Sequence, residues 1–274
     1  MLSFFEYEFM QRAVLAGLMI AVLAPMIGVF LVAKRYSLLA DTLSHVSLVG
    51  VAFSLLSNIH PLFGALLTSI LVGVGIEELR LRKKLSGESV LALVLSGSLA
   101  LAIVLFSLAR SVNVSLISIL FGSITTVTSS DLWTMLVLGS IVLVVLILGF
   151  KRFFLVAYDE ELAQANGLPV RWLNLILVCL AAITVSLSIR MVGTLLVGAL
   201  MVIPVLTAHQ LKLGFLKTAL WSVVCSLLSV MLGLGLSFYL NLPSGGAIVL
   251  VALSLFLLSL LPKAKTRFVS VRFH

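Results

Sequence analysis

The chain has 274 residues, of which 62% are hydrophobic and 10% are charged, and its formal net charge is +8. A soluble domain carries about 25% charged residues, so this composition and a mean hydropathy of +1.29 exclude a large soluble domain. The basic residues lie in short connections and in the tail, where they orient a membrane protein rather than indicate a nucleic-acid partner. We therefore predict one membrane-embedded domain over residues 1–274, surrounded by membrane lipid.

Long apolar windows predict an all-α, polytopic helical bundle with about eight or nine transmembrane helices. A span needs roughly 17–25 residues, so the second, third and seventh windows are expected to be short, tilted or broken. A further stretch at 112–123 is too short to span and is expected to be re-entrant or interfacial. The windows lie at 12–33, 41–57, 61–76, 89–109, 131–150, 172–189, 191–207, 217–240 and 245–261.

Clusters of lysine and arginine test this arrangement. With nine spans they fall on every second connection, so all of them can face the cytoplasm, including a basic C-terminal tail at 262–274. Glu77 and Glu78 adjoin one basic connection and are expected to form a solvated helix end. Ser129, Ser130 and Asp131 are expected to cap the fifth span.

The connection at about 151–171 is long and polar enough to hold a short amphipathic helix. Asp159 can cap a helix from about residue 160 to 165, and acidic residues in its first turn suit the helix dipole. Gly167 supplies a left-handed stop. The helix can either dock a cytoplasmic partner or simply rest on the membrane surface.

Asp41 and His45 are the most informative residues in the membrane-like part of the chain. Residues four apart share one face of a helix, and ionisable groups inside a bilayer usually mark a pathway or a binding site. A carboxylate oxygen and an imidazole nitrogen suit a borderline divalent cation such as zinc. The alternatives are that Asp41 caps the second helix and that His45 is a hydrogen-bonded core histidine.

Two side chains do not complete a zinc shell, which usually needs about four ligands. Waters, backbone carbonyls or the same residues of a second protomer could supply the rest. The hydroxyls of Thr42, Ser44 and Ser47 could line the same path, although hydroxyls in membrane helices often bond to their own helix.

Four segments in series resemble the membrane permeases of ABC-type zinc and manganese importers. They are 34–52 (KRYSLLADTLSHVSLVGVA), 120–131 (LFGSITTVTSSD), 159–167 (DEELAQANG) and 192–204 (VGTLLVGALMVIP). The resemblance runs over nearly the whole chain. It implies a type II ABC importer-like homodimer in the bacterial cytoplasmic membrane, bound to cytoplasmic ATP-binding subunits and served by an extracytoplasmic metal-binding protein.

Carried onto this sequence, the resemblance implies that Asp41 and His45 contact the metal in the translocation path. It also implies that Asp159, Glu160, Ala163 and Gly167 belong to the segment that docks on the ATPase. The chain has no Gly-x-x-x-x-Gly-Lys-[Ser/Thr] loop. We therefore expect no enzyme activity of its own and no permanently bound cofactor, with ATP used by the partner.

The transported metal is expected to be zinc, because residues 47–50 (SLVG) resemble the zinc-type members, whereas many manganese-type members have Pro-Gly at the last two positions. Manganese or iron import by the same architecture is the first alternative. The others are an ABC permease for metal chelates and a secondary transporter that uses Asp41 and His45 as a proton relay. An intramembrane zinc protease would carry His-Glu-x-x-His, which is absent from the sequence.

Overall fold

A computed structural model describes residues 7–81, 87–108, 116–123 and 127–269, with the side chains of 116–118, 190 and 262–269 excepted. Within these residues all regular secondary structure is helical, which confirms the predicted all-α bundle. The helices are α1 (Glu8–Ala33), α2 (Leu38–Leu56), α3 (Pro61–Leu81), α4 (Gly87–Leu108), α5 (Leu116–Phe121), α6 (Ser129–Tyr158), α7 (Glu160–Ala165), α8 (Val170–Val192), α9 (Val197–His209), α10 (Phe215–Leu240) and α11 (Ser244–Val269).

Eight of the described helices are long and apolar enough to cross a membrane, in agreement with the predicted number. The seventh window becomes α9, which has 13 residues and is therefore about 20 Å long, less than the roughly 30 Å of a hydrocarbon core. α9 is thus the broken helix that its window predicts. The second and third windows are full-length helices of 19 and 21 residues.

The break between α8 and α9 has a local cause. Gly193 has a positive φ of 83°, and a Cβ at this position would overlap the backbone of α5 and the residue after it. The chain then runs beside α5, where the amides of Thr194 and Leu195 donate to the carbonyls of Ile119 and Leu120 at 3.1 and 3.2 Å. The predicted short piece at 112–123 therefore contains α5, although 112–115 lies outside the described residues.

Burial separates central helices from peripheral ones. The most apolar part of α1 is 78% buried, whereas that of α4 is 17% buried. α1 packs against α6, α8, α9 and α10, and α2 packs against α3, α4, α8 and α9. The peripheral helices leave apolar faces exposed, which suits contact with lipid. The helices α1, α2, α8 and α9 form the core that positions the site.

Three predicted boundaries need correction. α6 begins after Thr128, whose hydroxyl and the carboxylate of Asp131 form a reciprocal capping box, so the cap precedes the predicted triplet. α6 also continues to Tyr158, because buried Phe153 and Val156 keep it packed past Lys151, and the first part of the predicted 151–171 segment is helix. Of the predicted tail at 262–274, α11 includes the backbone through residue 269, and 270–274 lies outside the described residues.

Candidate functional site

A narrow stripe on α2 carries both candidate metal ligands. Between residues 39 and 54 every side chain of α2 is buried except those of Asp41, His45, Val49 and Phe53. These residues are four apart, so they follow one line along the helix. The structure therefore places Asp41 and His45 together on the one strip of α2 that its neighbours leave open.

Asp41 does not cap α2. The helix begins at Leu38 after Ser37, whose side chain makes no capping hydrogen bond, and Asp41 lies within the first turn. Its carboxylate packs against Gly198 of α9, where an added Cβ would overlap the carboxylate oxygen Oδ1. The absence of a side chain at Gly198 is what gives the carboxylate room between α2 and α9.

His45 has a buried ring nitrogen without a hydrogen-bond partner. The Nδ1 atom of His45 is inaccessible to solvent and forms no hydrogen bond with any of the described residues. A buried polar atom without a partner costs free energy, so the alternative of a hydrogen-bonded core histidine finds no support at this atom. This nitrogen therefore has no competing hydrogen bond from the described residues.

The neighbouring hydroxyls are occupied within the helix. Thr42, Ser44 and Ser47 are fully buried, and they donate to the carbonyls of Leu38, Asp41 and Leu43 at 2.8 to 2.9 Å. In this conformation the three side chains are enclosed by the surrounding structure, and their place along the path stays a prediction. Their bonds follow the local pattern that hydroxyls in membrane helices commonly adopt.

Within the part of the chain that the structure describes, Asp41 and His45 have no third metal-binding side chain beside them. Among the described residues no group of three or more His, Cys, Asp or Glu side chains is close enough to hold a metal ion. The pair can therefore take over part of the hydration shell of a divalent cation without enclosing it. Such an incomplete site suits an ion that must also leave.

The second candidate segment is α7, whose predicted bounds match the observed ones. The carboxylate of Asp159 accepts a hydrogen bond of 2.9 Å from the amide of Leu162, and Gly167 ends the segment with a φ of 76°. Ala163 is fully buried, whereas Leu162 is 49% exposed. α7 therefore has an inner face against α6 and α8 and an outer face that the described residues leave exposed.

Glu160 lies on the inner side of α7, in an ion cluster that we define as Lys34, Glu77, Arg80, Glu160 and Asn174. One oxygen of Glu160, Oε1, accepts from Lys34 Nζ at 2.9 Å, Arg80 Nη2 at 2.9 Å and Asn174 Nδ2 at 3.0 Å. Lys34 Nζ also donates to Asn174 Oδ1 at 2.6 Å. Besides Glu160, Arg80 binds Glu77, and its Nε and Nη2 donate to the two carboxylate oxygens of Glu77. The cluster joins the α1–α2 turn, α3, α7 and α8.

The expectation for Glu77 is wrong, because its side chain is 1% exposed and paired with Arg80. Glu77 lies on the inner face of α3 near its end. The pattern of charges in the sequence alone does not indicate that this face is buried. Glu78 is partly exposed and accepts a hydrogen bond of 2.9 Å from Arg171, as a helix-end residue can.

The cluster changes the acidity of the groups that lie outside the membrane spans. Burial raises the pKa of Glu160, but the hydrogen bonds and positive charges of Lys34 and Arg80 outweigh it and hold this pKa at about 2. Burial lowers the pKa of Lys34, and Glu160 offsets part of this effect. Because the Glu160 pKa is depressed, its contribution to stability is present above about pH 4.5 and is lost as the pH falls toward 2.

Sequence reasoning missed Gly198 and most of the ion cluster. Lys34 and Asn174 are 140 residues apart, and no local periodicity links them. Within the cluster, the sequence could have predicted the ion pair of Glu77 with Arg80 alone, because these residues are three apart on one helix.

Comparisons with known proteins identify the family of the chain. The profile of the ABC 3 transport family matches residues 6–263. A probable metal transport system membrane protein of Treponema pallidum is 38% identical over 253 residues, which cover 92% of this chain and 95% of that protein. The manganese transport system membrane protein MntC of Listeria monocytogenes is 31% identical, over 93% of this chain and 91% of that protein.

A zinc system is also among the relatives. The high-affinity zinc uptake system membrane protein ZnuB of Haemophilus influenzae is 29% identical, over 94% of this chain and 99% of that protein. The solved structure described as PsaBC from Streptococcus pneumoniae in complex with Fab superimposes with a TM-score of 0.84 and 28% identity. That superposition covers 93% of this chain and 92% of the solved chain.

Proposed function

The chain belongs to the ABC 3 transport family and is a permease subunit of an ABC-type metal transport system, and we propose that it imports zinc. It is a multi-pass protein of the bacterial cytoplasmic membrane. The observation that carries the proposal is the open stripe of α2, on which Asp41 and His45 lie in an otherwise enclosed membrane helix. Ionisable side chains are too costly to face lipid, so this stripe lines a path for a charged substrate.

The ligand chemistry supports zinc as the cargo. An imidazole nitrogen with a carboxylate oxygen suits zinc, whereas manganese prefers oxygen ligands. Manganese is the second candidate, because a relative named for manganese is 31% identical to this chain. Competition between the two ions for uptake by the reconstituted transporter tests the choice. We expect excess unlabelled zinc to suppress uptake of labelled manganese more strongly than the reverse, and the opposite order would make manganese the substrate.

Three partners complete the proposed transporter. A cytoplasmic ATP-binding subunit docks on the outer face of α7 and supplies the energy. An extracytoplasmic metal-binding protein delivers the ion. A second copy of the chain covers the α2 stripe, because the exposed Phe53 and the partly buried Val49 continue the line of Asp41 and His45 through the membrane.

A cross-linking experiment tests the homodimer. In a chain whose free Cys179 and Cys225 have been replaced, we expect Val49→Cys to join two copies through a short thiol cross-linker in the membrane. Gly97→Cys is the matched control, because Gly97 lies on an open surface of α4 and a Cβ added there would meet no atom within 4 Å. Equal cross-linking of the two variants would contradict a dimer along the α2 stripe.

Gly198→Ala tests whether the position of the Asp41 carboxylate matters. The new methyl group would overlap the end of a flexible side chain, so we expect the protein to fold while the carboxylate moves away from its place between α2 and α9. Misplacing one ligand is expected to reduce metal uptake by about 10- to 100-fold, the loss typical for groups that orient metal ligands.

Gly97→Ala is the control for Gly198→Ala, since both add one methyl group to a membrane helix and Gly97 has open space around it. Uptake of labelled metal and thermal stability in detergent would be measured for both variants. Parental uptake by Gly198→Ala would contradict a role for the Asp41 carboxylate at this position.

A further inference from the structure

We infer that Glu160 is a positioning residue that transmits movement of α7 to the helix bearing Asp41 and His45. The inference rests on the proposed function, since it assumes that α7 docks the ATP-binding subunit. It assigns to Glu160 a role inside this chain, distinct from contact with that subunit.

Four segments of the chain meet at one carboxylate oxygen of Glu160. Glu160 Oε1 accepts from Lys34 in the α1–α2 turn, from Arg80 at the end of α3, and from Asn174 in α8, all within 3.0 Å. Charge-assisted hydrogen bonds are shorter and stronger than neutral ones. A displacement of the first residue of α7 therefore acts on three other segments at once.

Only a short stretch of chain separates Lys34 from the helix that carries Asp41 and His45. α1 ends at Ala33 and α2 begins at Leu38, so four residues separate the two helices. The turn is held by hydrogen bonds from Lys34 N to Phe30 O at 3.0 Å and from Tyr36 N to Leu31 O at 2.8 Å. Movement of Lys34 must therefore carry the start of α2, and Asp41 lies in its first turn.

Arg80 touches the same turn from the other side. Its guanidinium carbon lies 5.8 Å from the centre of the Tyr36 ring, and Tyr36 is 8% exposed. The cluster thus contacts the four-residue turn at two residues. It holds Lys34 through an ion pair and Tyr36 through a cation–π contact. Bending within the turn would break one of these contacts, so the turn moves with the cluster.

Stability alone does not account for the ion cluster. The side chains of Lys34 and Glu77 are 8% and 1% exposed, and their partners Glu160 and Arg80 are 36% and 23% exposed. Enclosing the two less exposed charges costs desolvation that offsets much of the attraction, and apolar replacements of buried ion pairs are often as stable. The exposed pair of Arg171 with Glu78 also links α8 to α3, yet it is solvated and does not involve α7. It serves as the comparison for a pair without a coupling role.

The two faces of α7 have different contacts. Leu162 is exposed, whereas Ala163 is buried and Glu160 points into the cluster. A partner seated on the outer face can push on α7, and the ionic contacts of Glu160 lie on the opposite side. Contact with the partner and transmission into the membrane domain are therefore assigned to different side chains.

The test uses the complete complex, with its ATP-binding subunit and metal-binding protein, in liposomes. Zinc uptake and ATP hydrolysis are measured separately for the parent and for Glu160→Gln. We expect the ATP-binding subunit to remain bound while the uptake per ATP hydrolysed falls at least about fivefold, the lower end of typical coupling between sites. Arg171→Gln, which removes the exposed pair, is expected to keep the parental ratio.

Glu160→Gln leaves Lys34 as a buried charge without its carboxylate, which can weaken folding. The double variant Lys34→Met with Glu160→Gln removes both charges and is expected to restore parental thermal stability, while its uptake per ATP stays low. A parental ratio in either variant would overturn the inference, as would loss of the ATP-binding subunit from Glu160→Gln. If the parent itself shows no ATP-dependent uptake, the proposed function fails as well.

Discussion

His45→Ala is expected to reduce zinc uptake by the reconstituted transporter at least about 100-fold, with the ATP-binding subunit still bound. Groups that merely orient metal ligands already contribute about 10- to 100-fold to metal affinity, and here one of two ligands is lost. The ring nitrogen Nδ1 of His45 is buried without a partner, so its removal breaks no hydrogen bond among the described residues. Asp41→Asn, which keeps the shape and removes the charge, is expected to have a similar effect.

His60→Ala is the matched control for His45→Ala. His60 is exposed in the connection before α3 and touches Phe63 through its ring, so its removal is expected to leave uptake of labelled zinc unchanged. Equal uptake by His45→Ala and the parent would move the metal path to another part of the chain.

Leu162→Glu is expected to release the ATP-binding subunit. In the proposed docking face Leu162 would become buried on binding, and a charge there would cost about 2 kcal/mol or more, roughly 30-fold in affinity. Because Leu162 is 49% exposed, the substitution should leave the permease folded. The measurement is the amount of ATP-binding subunit that co-purifies with the permease in detergent.

Leu211→Glu provides the comparison for this docking experiment. Leu211 is 51% exposed and lies between α9 and α10, on the side that the basic clusters assign to the cytoplasm. Leu211→Glu should keep the ATP-binding subunit bound to the permease. Parental co-purification of Leu162→Glu would show that α7 does not carry the docking face.

The local features of the site could be predicted from sequence because each depends on a few neighbouring residues. Helical spacing places Asp41 and His45 on one face, and Asp159 and Gly167 bracket α7 at the bounds that the structure has. A carboxylate at a helix start and a glycine at its end are determined by the backbone groups within one turn.

Long-range packing could not be predicted in the same way. The contact between Asp41 and Gly198 joins residues from distant parts of the chain, and nothing in either segment identifies the other. The charged neighbours of Glu77 predict a solvated residue, yet the end of α3 turns inward and pairs it with Arg80. The charges at 151 and 152 predict a helix end, but the apolar residues that follow keep α6 packed to Tyr158.

The rival transport mechanisms predict different energy sources. A secondary transporter that uses Asp41 and His45 as a proton relay would respond to a proton gradient and need no ATP. A permease for metal chelates would share the docking helix, but an ion-binding pair on the open stripe of α2 would have no substrate to contact. Uptake measured with the free metal ion, in the presence and absence of ATP, therefore distinguishes these mechanisms.

The most direct test is uptake of labelled zinc into liposomes that contain the chain with its ATP-binding subunit and metal-binding protein, with and without ATP at the cytoplasmic side. The account predicts zinc uptake that requires ATP hydrolysis and is lost in His45→Ala. Zinc uptake that proceeds equally without ATP, or that follows a proton gradient, would contradict it.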